Sequence, residues 1–483
     1  MVRQRGVLVG VGLLLACHGK SPAPSSDAVV PSAAPSASHE APREAAPPPA
    51  DASTHAAPDA HAPAFADWLR KKLPPGGALE GGDHGAPPRV VHTVSAGDTA
   101  RSIADAYVGL TQIYDAKDLA AGLGKGSLEL GTHVEIPRLI TEVPPDPEKS
   151  RLGWPEDRAL RGVFVTGAYA AIRWVDTLDK LAERGLNAVV LDGKDYEGPV
   201  NYPTEVPVAV ETKAYVRPNI PDLARAIRFA HARGIRVIMR IACFHDPWAA
   251  KRASRLSLMG NWGGPFPMGW LDPTNVEAQD YIIGLAKEQL AAGADEIQLD
   301  YVRFPVQSKS INAVVMPRPD GSRARANRDF IKRVHEVTQA AGVPLSLDIF
   351  GVTATGDQSD IDKLGQDIGT IGGEAEALSP MVYPSEYSVG YRGWDQPGNH
   401  PEIVGIGTKG AVAKLKAGKH DKTIIRSWLQ ASSYKATNYG PQYILKEAKS
   451  AEANGGVGWL LWSPGCDYWA AWRAFPVLDA GPR

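Results

Sequence analysis

Cysteine is scarce in this chain: three residues in 483, at positions 17, 243 and 466. That excludes a disulfide-stapled scaffold and any Cys-rich zinc module. A surplus of one charge is also missing. Lys and Arg number 52 against 54 Asp and Glu, a formal net charge of -2, so no general attraction to nucleic acid or anionic lipid arises and no nucleic-acid partner is expected. The apolar run from Val7 to Ala16 is too short to cross a bilayer. What remains is a chain too long for one average domain, for which two or three are expected. At 43% hydrophobic, it can build one large core.

The amino terminus has Arg3 and Arg5, the apolar run, and then Cys17. A basic head, a short apolar body and a small residue before the cut read as an export signal over residues 1–16. Leu14-Leu15-Ala16-Cys17 resembles a bacterial lipobox, which implies cleavage before Cys17, acylation of its thiol and a lipid anchor in the membrane. His18 in the next position, not an acidic residue, favours outer-membrane sorting by the same resemblance. Residues 17–64 are mostly Ala, Pro and Ser. They lack the large apolar side chains that offset chain entropy, so a disordered, extended tether is expected. Phe65 to Leu69 reads as a single helical turn.

Residues 90–138 have a different texture. A short strand (Val91 to Val94) leads into a turn at Gly97-Asp98, and Asp98 or Thr99 can cap a helix carrying Ile103, Ala104 and Tyr107 on one face. A second apolar helix and a closing strand, Val134 to Ile136, follow. This βααβ order, with GDT at the first turn, SIA in the first helix and a final IP, resembles a LysM domain. The resemblance implies binding of N-acetylglucosamine-containing glycans such as peptidoglycan, with Gly97, Asp98 and Thr99 in the groove. Asp118-Leu119-Ala120-Ala121 stands where the family usually has an Asn-Pro-like turn.

Residues 139–156 read as a linker, and 157–483 as alternating strands and helices. Strands are expected at Val163–Thr166, Ala188–Asp192, Arg236–Ala242, Glu296–Tyr301, Leu345–Phe350, Leu378–Tyr383, Thr423–Leu429 and Val457–Trp462. Several intervening helices should end at glycine: Gly185, Gly234, Gly293, Gly342 and Gly455. The pattern predicts an α/β fold, a (β/α)8 TIM barrel, preceded by the small βααβ unit. An open doubly wound sheet is the alternative, but no GxGxxG follows a first strand.

In such a barrel the functional groups sit at the carboxyl-terminal strand ends. Strand alternation puts apolar Ile297, Leu299, Leu345 and Leu347 outward under the helices, and Gln298, Asp300, Ser346 and Asp348 inward. The same reasoning turns Asp192, Lys194, Arg240, Arg426, Trp428 and Gln430 inward. A purely structural barrel would fill this layer with Val, Ile and Leu; the bland alternative is a self-satisfied ion network.

GADEIQLDYVRFP (Gly293 to Pro305), LSLDIFG (Leu345 to Gly351), LSPMVYPSEY (Leu378 to Tyr387) and VLDGKDYEG (Val190 to Gly198) resemble a largely uncharacterised bacterial family of glycoside hydrolase barrels. The resemblance implies hydrolysis of O-glycosyl bonds, which needs two carboxyls flanking the bond. Asp300 is the candidate nucleophile or charge stabiliser, with Arg303 near enough to hold it ionised, and Asp348 the candidate acid/base. Asp192, Asp195 and Glu386 are reserves; Glu386 stands where related sequences tend to carry His. Lys194, Arg240 and Arg426 would orient carboxylates or bind hydroxyls. Tyr383, Trp428 and Trp462, with Tyr196, Trp262, Trp270, Tyr301, Tyr387 and Trp394 near strand ends, offer flat faces for sugar. Neither cofactor nor metal is expected: His245 follows the third strand, but His231, His335, His400 and His420 fall on helices or loops. A non-catalytic carbohydrate-binding barrel is the competing reading. Cys243 and Cys466 follow non-adjacent strands, and stand either as a bridge across the mouth or as two buried thiols.

Overall fold

The computed structural model describes residues 62–81, 88–123, 128–215, 218–306 and 322–477. The export signal, Cys17 and nearly all of the tether lie outside the described residues. The chain divides into two compact units, with the boundary between Val143 and Pro144.

The first unit is larger than the sequence pattern suggested. A helix over Ala62–Lys72 precedes the strands β1 (Gly77–Glu80), β2 (Arg89–Thr93) and β3 (His133–Glu135). They form one sheet, with β2 antiparallel to both neighbours. The two expected helices are Ala100–Tyr107 and Ala116–Gly122. Leu69 of the added helix is buried with Val90, Ile103, Tyr107, Leu119 and Ile136. The stretch read as one helical turn is therefore part of a core.

The second unit is the expected barrel. Its staves are β4 (Leu160–Val165), β5 (Ala188–Lys194), β6 (Arg236–Ala242), β7 (Glu296–Asp300), β8 (Leu345–Phe350), β9 (Ala377–Met381), a seventh stave in two pieces, β10 (Ile424–Ile425) and β11 (Ser427–Gln430), and β12 (Gly458–Trp462). All pair in parallel, and β12 returns to β4 through Gly458↔Leu160, closing the cylinder. Helices such as Gly167–Glu183, Val276–Ala291, Arg323–Ala340 and Ile403–Ala417 connect them. The local punctuation follows the sequence. Thr166, Asp222, Asn275 and Ser322 accept backbone N–H bonds at helix starts, and the five expected terminal glycines all have positive φ.

The segment read as a free linker is divided between the units. Leu139 bridges Thr111 in the first. Beyond Pro144 the chain closes the bottom of the barrel: Arg151 Nη2 donates to Leu290 O at 2.7 Å, Leu152 N to Asp295 at 2.6 Å, and Trp154 Nε1 to Glu296 at 2.7 Å.

Candidate active site

The inward parity of β5, β6, β7 and β8 brings four charged groups together at the carboxyl-terminal end of the barrel. Arg240, on β6, is the hub. Its Nη1 donates to Asp192 Oδ1 at 2.6 Å, and its Nη2 and Nε donate to Asp300 Oδ2 at 2.7 and 3.2 Å. The same Nε stands 3.8 Å from Asp348 Oδ2. Phe164 lies beneath the guanidinium, 5.4 Å from ring centre to Cζ. Asp300 Oδ1 accepts from Tyr301 N at 2.6 Å, and Asp348 Oδ1 accepts from Trp428 Nε1 at 2.6 Å. Asp300 is 6% exposed and Asp348 2%, so both carboxyls sit in a largely water-excluded layer.

Burial sets the proton balance of this layer. It raises the Asp348 carboxyl well above the ordinary aspartate value, with further upward pressure from Asp300, against the opposing pull of Arg240, the Trp428 bond and Arg426. Burial also lifts Asp192 to about 7, opposed by Arg240 and assisted by Asp195 and Asp300. Burial and the neighbouring carboxylate both disfavour the charged form of Asp348.

Three expected roles differ from what the structure shows. The contact ion pair of Asp300 is with Arg240, and Arg303 interacts with Asp300 only through longer-range charge attraction. Tyr301 has φ +55, so the chain leaves β7 in a left-handed turn directly after Asp300 and strand alternation stops applying. Lys194 does not reach the carboxylate layer. A register shift between Asp192 and Lys194 rotates it away, and its Nζ pairs with Asp246 at 3.0 Å and donates to Ala242 O at 2.7 Å, fully buried. Arg426 faces inward, but at the opposite end of the barrel. It breaks the seventh stave and pairs with Glu296, which also accepts from Ser346 Oγ and Trp154 Nε1. Arg426 is thus a sealed charge in the bottom layer and is not available to sugar.

Aromatic groups gather near the strand ends in two sets, the first of them largely buried. Tyr383, 8% exposed, stacks on Trp462 with centroids 5.0 Å apart and 29° between planes; Trp428 is edge-on to Phe164 at 6.4 Å. The second set joins Tyr196, His245 and Tyr301, at centroid distances of 5.3 to 6.2 Å and interplanar angles of 16 to 30°. His245 Nδ1 meets Tyr196 O at 2.8 Å, and burial pulls its pKa down to about 4, which keeps the imidazole neutral. His245 was legible in the sequence only as an isolated potential ligand, and Phe164 and Trp154 gave no functional signal. Glu386 lies exposed on the turn after β9, its carboxyl raised above the usual value by desolvation, with Lys435 pulling the other way. Asp195 is half-buried after β5 and accepts from Glu197 N. Trp394 stacks on His400 at 4.0 Å, and Trp262, 51% exposed, stands on the long loop after β6, a loop that is itself ordered by the bridges His245↔Trp270, Ser257↔Leu271 and Met259↔Pro265. Cys243 and Cys466 are both buried and free.

In the first unit the GDT turn is held from within. Gly97 has φ +92. Asp98 Oδ2 accepts from Ser95 N at 2.7 Å and lies 3.0 Å from His92 Nε2, whose Nδ1 is 2.9 Å from the Tyr107 hydroxyl. The His92 bond and then the Ser95 bond lower the Asp98 carboxyl, and burial, then Asp98, pushes the Tyr107 phenol up to about 12. Thr99 caps the following helix in a capping box with Ser102. Both polar side chains of the turn are therefore engaged in local structure.

A closed parallel barrel with carboxyls gathered at the carboxyl-terminal mouth defines a class, the TIM-barrel proteins with their polar site where this fold carries function. Residues 162–468 match the family described as "Putative glycosyl hydrolase domain", and the chain belongs to that family. Among solved structures it is similar to a hypothetical protein from Ruminiclostridium thermocellum ATCC 27405, at 29% identity over 38% of this chain and 96% of that one, with a TM-score of 0.35. It is similar also to the PgaB (BpsB) glycoside hydrolase domain of Bordetella bronchiseptica, at 14% identity over 66% of this chain and 100% of that one, TM-score 0.46. The endo-1,4-beta-D-mannanase of Thermotoga petrophila RKU-1 gives 11% identity, 63% and 88% coverage, and TM-score 0.41. No curated protein matches the chain.

Proposed function

We propose that the barrel hydrolyses glycosidic bonds of a cell-envelope or extracellular polysaccharide, with Asp300 as nucleophile or charge stabiliser and Asp348 as acid/base. The observation that carries this reading is the convergence of both carboxyls on one nitrogen, Arg240 Nε, at 3.2 and 3.8 Å, with burial raising the Asp348 carboxyl well above the ordinary aspartate value. Asp192 and Arg240 orient Asp300, and Tyr383, Trp428 and Trp462 supply apolar faces for the sugar. Cys17 with its tether would anchor the protein at a membrane facing the wall. The βααβ unit would hold N-acetylglucosamine-containing glycan through the backbone of the Gly97 turn and the segment Asp115–Leu119, which opens the helix Ala116–Gly122, since Asp98 and Thr99 are already engaged.

A carbohydrate-binding barrel without turnover is the second reading. It is favoured by the depth of Asp348, 2% exposed, and by the neutralisation of the layer by Arg240. Incubating the full chain with peptidoglycan, polymeric hexosamines and common glucans, with detection of new reducing ends, separates the two. Hydrolysis predicts release from at least one polymer. Retention on a polymer with no release from any would leave only the binding reading.

A further inference from the structure

The mouth of the barrel contains a second arginine that forms no contact ion pair with a carboxylate among the described residues, although the charge of Asp300 acts on it at longer range. Arg303 is 8% exposed. Its guanidinium lies 4.3 Å from the ring centre of Phe350, 4.7 Å from that of Trp270 and 5.1 Å from that of Tyr301. Its single hydrogen bond among the described residues is Nη1 to Phe304 O at 3.2 Å. Burial pulls its pKa down to about 10, which still leaves a cation at neutral pH. The contrast with three other buried cations is direct: Arg240 has Asp192 and Asp300, Lys194 has Asp246, and Arg426 has Glu296. A buried charge normally persists only when paired. Three rings offset part of the desolvation and hold the fork rigid, but they satisfy none of its remaining N–H donors.

Position gives this charge a use. Arg303 is three residues beyond Asp300, and Tyr301, which it overlies, donates its backbone N–H to Asp300. Tyr301 and Phe350 are half-buried, so the cluster reaches the rim beside the carboxylate layer. We infer that Arg303 is the receptor for a carboxylate on the substrate, so that the glycan is acidic, built with uronic or other carboxylated sugar units. A rigid planar fork matches a carboxylate in two parallel hydrogen bonds. A single guanidinium with no contact ion pair suits a singly charged group, which a carboxylate is and a phosphate monoester at neutral pH is not. The rings around it face the apolar surface of the same sugar. The inference deepens the hydrolase reading, and its binding arm stands apart from it.

The test uses the full chain with polygalacturonate, alginate and hyaluronan, each native and after chemical reduction of its carboxyls, and dextran sulfate as a polyanion control. Affinity electrophoresis reads binding, and reducing-end release reads turnover. The expected result is a preference of about tenfold or more for at least one native polymer over its reduced form, the order of a charge-assisted hydrogen-bonded pair. In Arg303→Gln that ratio should fall below about threefold, with Arg303→Lys between the two. Binding that prefers a carboxylated polymer without release from any polymer supports the inference and rejects the hydrolase reading. Release undiminished by carboxyl reduction rejects the inference and leaves the hydrolase reading intact. Equal binding to dextran sulfate, no preference in wild type, or a preference that survives in Arg303→Gln each overturns it. The wild-type comparison decides even where a variant fails to fold.

Discussion

Replacing Arg240 with Met tests how the carboxylate layer is held. Methionine keeps much of the stem and deletes the fork. Asp192 loses its 2.6 Å donor, Asp300 loses donors at 2.7 and 3.2 Å, and Asp348 loses the cation 3.8 Å away. Removing one partner of a buried ion pair costs about 3–5 kcal/mol because the remaining charge stays desolvated. Here two hydrogen-bonded carboxylates are stranded, so a loss at the upper end of that range is expected at pH 8. The stranded groups can escape by binding protons, which raises their folded-state pKa above the unfolded value near 4. The variant's stability then falls as pH rises above about 4, and its deficit is smaller at pH 5 than at pH 8. Urea unfolding followed by tryptophan fluorescence at both pH values measures this. Arg240→Lys should recover part of the loss, since a point charge cannot span Asp192 and Asp300 together. A deficit under about 1 kcal/mol at pH 8, or one equal at both pH values, would refute the idea that this guanidinium neutralises the layer.

Other expectations are as direct. Asp192, raised to about 7, keeps a proton in the folded protein that the unfolded chain releases near 4. It therefore makes stability fall as pH rises from about 4 to about 7, and Asp192→Asn should flatten that part of the urea-midpoint profile. Trp154→Ala opens the bottom of the barrel and removes a donor to Glu296; Trp154 is only half-buried, so a loss of about 2–3 kcal/mol is expected, below that of a full core tryptophan. Asp98→Ala should lower the thermal transition of the first unit, since it cuts the bonds to Ser95 N and His92, and leave the barrel's transition in place; two transitions in calorimetry would report them separately.

The barrel was legible because two periodicities run through it without interruption: alternation in the strands and apolar helical faces ended by glycine. The inward faces of β7 and β8 followed from the same alternation, and with them Asp300 and Asp348. Alternation gives a side but not a height. Arg426 has the inward parity of Trp428, yet sits two residues earlier on its stave and so belongs to the bottom layer with Glu296. It also fails wherever the strand is irregular. The register shift beside Gly193 turned Lys194 to Asp246, and the left-handed Tyr301 carried Arg303 into an aromatic cage instead of to Asp300. The helix and strand added to the first unit escaped because Pro74-Pro75-Gly76 and neighbouring glycines mask a short amphipathic helix and a four-residue strand.

The most direct measurement is the turnover of Asp300→Asn and Asp348→Asn beside wild type, on whichever polysaccharide the wild type cleaves, with near-ultraviolet circular dichroism confirming the fold of each. Loss of a positioned proton donor costs about 10²–10⁴-fold, so a fall of that order is expected for Asp348→Asn and at least as large a one for Asp300→Asn. Wild-type rates in either folded variant would contradict the assignment of that carboxyl to the chemistry.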